Sequence, residues 1–148
     1  MKEWLDQFLS DFHREYLKEL GFKKARRTFS RDKDSYWERF NFQGSRTNYP
    51  DRANWRFYLN VGVEFKDLEP RKYWSLFQDT HWSQRMKSVV ESAPGVYEYN
   101  VGTNRDILMR ELFSCIQRAS EKIGRESANI RSHYLAHDDS YDVSIYRT

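Results

Sequence analysis

The sequence lacks a second cysteine, a long apolar run and the short signatures of common nucleotide or hydrolase chemistry. Cys115 is the one cysteine in 148 residues. No intrachain disulfide can form, which fits a reducing compartment. No apolar stretch approaches the roughly 20 residues of a membrane span, so no membrane partner is expected. The opening residues M-K-E-W-L-D-Q-F-L carry acids inside their apolar pattern, unlike a secretory leader. These absences together predict a cytoplasmic protein. There is no G-x-x-x-x-G-K-[S/T], no G-x-G-x-x-G and no G-x-S-x-G, which removes the usual phosphate-cradling and nucleophile-elbow chemistries. No cofactor is therefore expected. No internal repeat or low-complexity tract is present.

What is there is charged and aromatic. Charged residues make up 32% of the chain, hydrophobic residues 39% and aromatic residues 17%. Such a balance belongs to a globular protein, and rings that bury much area each can fill a core from a modest apolar fraction. The length predicts a single domain over 1–148, with its core between about 3 and 124 and a polar segment over 125–148. A chain of this size buries roughly two-thirds of its unfolded surface and needs no metal or disulfide to stand. The formal net charge is only +3, a mild excess beside the clustered charge of dedicated nucleic-acid binders.

The pattern is clearest over 54–65, N-W-R-F-Y-L-N-V-G-V-E-F. Trp55, Phe57, Leu59, Val61, Val63 and Phe65 alternate with Arg56, Tyr58, Asn60, Gly62 and Glu64. A period of two places each set on its own face of a strand. The odd face is expected to be dry, and Arg56, Tyr58 and Asn60 to look outward and stay reachable. Before it, 3–20 repeats apolar residues at spacings of three and four, an amphipathic helix. Gly21 and Phe22 then fit the left-handed stop and hydrophobic contact of a Schellman cap. K-K-A-R-R-T-F-S-R reads as one edge strand guarded by charge, 32–35 as a turn, 36–45 as a strand and 46–53 as a loop. Beyond the central strand, 71–78 reads as a short helix, and 80–90 fits helix and strand equally. Residues 96–101 read as a last strand. A second helix is expected over 103–123, capped by Thr103 with Asp106 and stopped by Gly124. The segment 125–148 either extends that helix or adds a strand at 141–146. Short connections require antiparallel pairing. The order predicts an α+β fold: an antiparallel sheet of four to five strands with an N-terminal and a C-terminal helix on one face.

The succession G-F-K-K-A-R-R-T-F-S-R, N-F-Q-G-S-R, L-N-V-G-V and H-W-S-Q-R-M resembles an uncharacterised bacterial family known only as a domain of unknown function. The likeness runs over about 15–123. Val96-Tyr97-Glu98-Tyr99 stands where that family tends to carry paired tryptophans. The resemblance implies an α+β domain and no particular activity.

Candidate chemistry gathers on the even face. Asn41, Gln43 and Ser45 come from one strand and Arg56, Tyr58 and Asn60 from the next, neighbours about 5 Å apart once the strands pair. Amides are poor strand formers, so their placement here sacrifices local propensity, which marks a candidate site. The same residues also suit an ordinary solvated face. His81 and Arg85 in H-W-S-Q-R-M offer an acid–base group and an anion-binding fork. Their plain alternative is a surface pair beside a core Trp82. His133, His137, Asp138 and Asp139 have helical ligand spacing but lack the Glu of a zincin, and no metal is expected. Lys23, Lys24, Arg26, Arg27 and Arg31 lie near Tyr36 and Trp37 in sequence, a mixture suited to single-stranded nucleic acid, although Asp32, Asp34 and Glu38 interrupt it. Cys115 falls on a buried helix stripe and reads as packing. The leading expectation is a non-enzymatic protein that binds another protein through Asn41, Gln43, Ser45, Arg56, Tyr58, Asn60, His81 and Arg85, with toxin neutralisation, as in bacterial immunity proteins, its specific form. The alternatives are a nucleic-acid-binding domain and an enzyme built on His81 and Arg85.

Overall fold

The computed structural model describes residues 1–69, 76–77 and 80–136. Among the described residues six strands form one antiparallel sheet: β1 (Lys23–Ala25), β2 (Thr28–Asp32), β3 (Tyr36–Gly44), β4 (Trp55–Phe65), β5 (Trp82–Arg85) and β6 (Tyr97–Tyr99). Their order is β1-β2-β3-β4-β5, with β6 also on β4. β4 is the hub. One edge pairs along its length with β3, Phe40 opposite Val61. The other edge is divided: β5 lies against Asn60–Val63 and β6 against Trp55–Phe57.

The expected alternation sets the core. Phe57, Leu59, Val61, Val63 and Phe65 are buried on β4, and Tyr36, Glu38, Phe40 and Phe42 on β3. Helix α1 (Lys2–Phe12) brings Leu5, Phe8, Leu9 and Phe12 to this face. Helix α3 (Arg105–Leu135) brings Leu112, Ile116, Ala119 and Ile123. Rings knit the layers: Phe12 meets Phe29 and Phe42 edge-on, and Trp4 stacks on Tyr99 at 5.0 Å. The α+β architecture read from the sequence is the one observed. A four-residue helix, α2 (Met86–Val89), follows β5 directly, so both readings of 80–90 are realised in turn.

The helix expected over 3–20 changes pitch on the way. After α1 come one wide π turn, His13–Leu17, and a 3₁₀ turn, Lys18–Leu20. The end is the Schellman cap: Gly21 has φ 92°, its N–H donates to Lys18 O, and the Phe22 N–H donates to Leu17 O.

Three expectations are corrected. The single edge strand is a hairpin, β1 and β2, turned by Arg26 and Arg27 with Arg26 at φ 55°. No Gly or Asn signals that turn. The cap of α3 is Asn104, whose Oδ1 accepts the Ile107 N–H at 3.1 Å, while the Thr103 hydroxyl accepts from Asn100 N. α3 also passes Gly124 and runs to Leu135. Burial there outweighs the low helix propensity of glycine: Ile130 is buried, and Arg131 grips the Asp67 carboxylate with both nitrogens at 2.7 and 2.8 Å. The 71–78 helix falls mostly outside the described residues, and 137–148 wholly so.

Gly62 faces away from the core, yet it is buried. A Cβ added there would stand 2.6 Å from Thr80 Cγ2 and 2.8 Å from Phe77 Cζ. The chain before β5 therefore lies on the polar face at this point. Gly62→Ala is expected to destabilise by about 1–3 kcal/mol through overpacking. A urea midpoint equal to wild type would mean that Phe77 and Thr80 yield freely.

Candidate functional site

The sheet register assembles a row of polar side chains across four strands. Thr28 on β2 lies opposite Asn41 on β3, Asn41 opposite Asn60 on β4, and Asn60 opposite Arg85 on β5. Cross-strand neighbours on one face stand close enough to bond, and these do. Asn41 Nδ2 donates to Thr28 Oγ1 at 3.0 Å. Asn60 Nδ2 donates to Asn41 Oδ1 at 3.0 Å and to Gln43 Oε1 at 3.1 Å. Arg85 Nη1 donates to Asn60 Oδ1 at 2.6 Å and to Gln43 Oε1 at 2.9 Å. The Arg85 guanidinium lies over the Tyr58 ring, 4.2 Å from its centroid.

Arg85 ends β5 in extended backbone, φ −67° and ψ 147°, before α2 turns the chain away. It is half-buried. Burial lowers its pKa from the ordinary value, with Tyr58 acting in the opposite direction; arginine nevertheless stays a cation at neutral pH. No described carboxylate forms an ion pair with it. Glu64, on the same face, is taken by Arg39, and Glu98 by Arg56.

The structure thus brings Asn41, Gln43, Tyr58, Asn60 and Arg85 together. Asn41 and Tyr58 are half-buried and Gln43 is exposed. Asn60 corrects the sequence expectation: its side chain is on the even face but has 0% exposure. Register explains this, because Arg85 arrives directly opposite and closes over the amide. Asn60 shapes the site from beneath and is not itself reachable. Arg56 sits beyond the row, exposed and paired with Glu98 at 3.1 Å. Asn48 clamps its backbone, accepting from Arg56 N and donating to Arg56 O, both at 2.8 Å. Ser45 starts the following loop, where its hydroxyl meets Thr47.

His81 does not join the group. Its Nδ1 accepts the Phe65 N–H at 3.0 Å and its Nε2 lies 2.8 Å from Glu69 O, the arrangement of the Nε2–H tautomer. Its ring is buried beside Phe65 and edge-on to Tyr134 of α3. A histidine with both nitrogens bonded to backbone braces its loop and has no site left for proton transfer. Trp82 is in the core, as its plain reading had it.

The basic cluster also divides. Arg31 turns inward, bonded to Glu38 and Ser120 and lying 4.4 Å over Phe22; Tyr36 is buried. Arg27 pairs with Asp6 at 2.9 Å. Lys24 and Arg26 remain on the rim of an open hollow of about 1090 Å³ at the hairpin's end, where Asn41 and Gln43 form one wall. Burial raises the Cys115 thiol above its ordinary pKa, away from the reactive thiolate. Among the described residues no three potential ligands converge on a metal position, and His137, Asp138 and Asp139 lie outside them.

Sequence reasoning missed Thr28 as the end of the row and Phe77 and Thr80 as the cover over Gly62 beside it. Thr28 was legible in principle, as a small polar residue one place before a core Phe29. The cover had no signal in any local pattern.

A family model described as a domain of unknown function, DUF4304, matches residues 13–125. The chain belongs to that family. The match contains all six strands, and so the whole Thr28–Arg85 row; it begins after α1 and ends inside α3. No curated protein and no solved structure matches the chain. Among the described residues no helix is long and apolar enough to cross a membrane.

Proposed function

We propose that this chain is a bacterial cytoplasmic binding protein without catalytic activity, which holds another protein on the polar face of β3, β4 and β5. Neutralisation of a toxin, in the manner of immunity proteins, is the form this reading takes. One observation carries it: a hydrogen-bonded row, Thr28–Asn41–Asn60–Arg85, fixes the reachable groups before any partner arrives. Side chains already held in place lose less entropy on binding. Tyrosine and arginine, here Tyr58, Arg85 and Arg56, are residue types that dominate interface energies.

The test is affinity capture from the native host with wild type and with Tyr58→Ala and Arg56→Ala. A specific protein retained by wild type should weaken by about 2 kcal/mol with Tyr58→Ala, the scale of an interface hot spot. Arg56→Ala should lose less, because its charge is already paired. An unchanged captured set in both folded variants removes the reading. The hollow beside Lys24 and Arg26 favours nucleic acid as the second reading. Binding to single strands that falls steeply with salt, and no protein partner, would replace the first reading with it.

A further inference from the structure

We propose that Arg85 is the anchor for a carboxylate, supplied by an acidic side chain of the protein partner, and that its Nε/Nη2 edge is the surface that takes it. This rests on the recognition reading above and names the group recognised.

The argument starts from the donors of one guanidinium. Arginine has five N–H groups in a fixed plane. Both hydrogens of Nη1 are committed, one to Asn60 Oδ1 and one to Gln43 Oε1. Nε and Nη2 donate to nothing among the described residues. Those two nitrogens lie on the same side of the group, and their N–H bonds run parallel, which is the fork that receives both oxygens of a carboxylate. Arg85 as a whole is only half-buried, so part of the group meets solvent.

The surroundings hold that fork still. Asn60 is fixed in turn, because its two N–H bonds go to Asn41 and Gln43. The Tyr58 ring lies against the guanidinium, 4.2 Å from ring centroid to its central carbon. The exposed Gln43 is held to the same guanidinium through its Oε1, and its Nε2 donates to no described partner. The site thus has one cation, an excess of donors and acceptors already spent on Nη1. Such a group suits an anion and repels a second cation.

Charge balance selects the anion's source. The face's own described carboxylates are engaged, Glu64 with Arg39 and Asp32 with Lys66, and Glu98 with Arg56 at the rim. Those carboxylates are thus spent on other cations, and an anion for the Arg85 fork would be a partner's. A single fork between neutral amides matches a monoanion with two oxygens. Phosphate recognition more often draws several basic groups together, whereas Arg85 does not line the adjoining hollow that holds Lys24 and Arg26, although Gln43 borders both.

The test uses the full chain with ¹⁵N-labelled arginine, observing side-chain Nε–H resonances. Sodium acetate is titrated against sodium chloride at constant ionic strength, then inorganic phosphate. The Arg85 signal, assigned by its disappearance in Arg85→Lys, is expected to move saturably with acetate. The paired Arg39 and Arg56 signals are expected to move less. In the capture experiment Arg85→Lys, which keeps the charge and loses the fork, should weaken the partner roughly tenfold. An Arg85 signal indifferent to acetate overturns the inference without using any variant's stability. Saturation by phosphate alone overturns the carboxylate assignment. Partner loss in Tyr58→Ala with no acetate response sinks this inference alone; an acetate response with no partner loss in either Tyr58→Ala or Arg56→Ala sinks the recognition reading, and with it the partner as the carboxylate's source.

Discussion

Replacing Glu38 by alanine is expected to destabilise the protein by about 3 kcal/mol, the scale of a broken buried ion pair. Glu38 points into the core with 0% exposure. Its Oε1 accepts from Arg31 Nε at 2.5 Å and its Oε2 from Ser120 Oγ at 2.7 Å, while Arg31 Nη2 donates to Ser120 Oγ at 2.8 Å. Three side chains from β2, β3 and α3 thus close a triangle beneath the helix. Removing the carboxylate leaves the Arg31 cation beside Phe22 and the Ser120 hydroxyl without their common acceptor. Arg31 keeps some contact with water, which holds the cost toward the lower end of the range. A drop of this size lowers the melting temperature by roughly 6–12 °C in a chain of this length. Replacing Glu38 and Arg31 together by methionine should recover much of the loss, because removing both charges also removes their desolvation cost. Thermal unfolding of the three proteins checks this. A double variant as unstable as Glu38→Ala alone would show that shape, not charge pairing, holds this part of the core.

Phe42→Ala is expected to cost about 3–5 kcal/mol, the range for emptying a buried aromatic site. Phe42 lies where α1 meets the sheet, 5.6 Å from the Phe29 and Phe57 centroids and 6.4 Å from that of Phe12. Its neighbours come from three elements whose backbones are fixed by helix or sheet bonds, so the space cannot close by a small shift. Phe42→Leu should lose considerably less. Urea denaturation measures both. A Phe42→Ala protein within 1 kcal/mol of wild type, by about the lower bound for a core truncation, would mean that α1 collapses onto the gap.

These residues also show why some of the molecule was legible and some was not. Phe40, Phe42 and the odd residues of β4 sit in uninterrupted alternation, so one period fixes both strand and face. The Gly21–Phe22 stop is local chemistry and was readable for the same reason. Arg26 and Arg27 were not, because a turn between charged residues has no local mark once the strands on either side supply the driving force. α3 overran Gly124 because Ile130 joins the core and Arg131 pairs with Asp67, 64 residues away in sequence, a tertiary gain beyond any window. On the polar face, the unusual amides in β3 and β4 drew attention to Asn41, Gln43 and Asn60, which the structure joins by hydrogen bonds. What covers them depends on the register of β5, and register between distant strands is not written in either strand alone. The inward turn of His81 has the same origin: its partners are backbone groups of Phe65 and Glu69, which the pattern of side chains does not reveal.

The divided outer edge of β4 has a mechanical consequence. β5 and β6 reach it from different loops and share no bond with each other, so the two clips can come undone one at a time. Peeling the four-residue β5 ladder away would lift Arg85 off Asn60 and leave Tyr97 and Tyr99 seated on Phe57. Hydrogen exchange should therefore divide β4 into two protection zones meeting near Leu59, with the zone under the polar row opening at its own, lower cost.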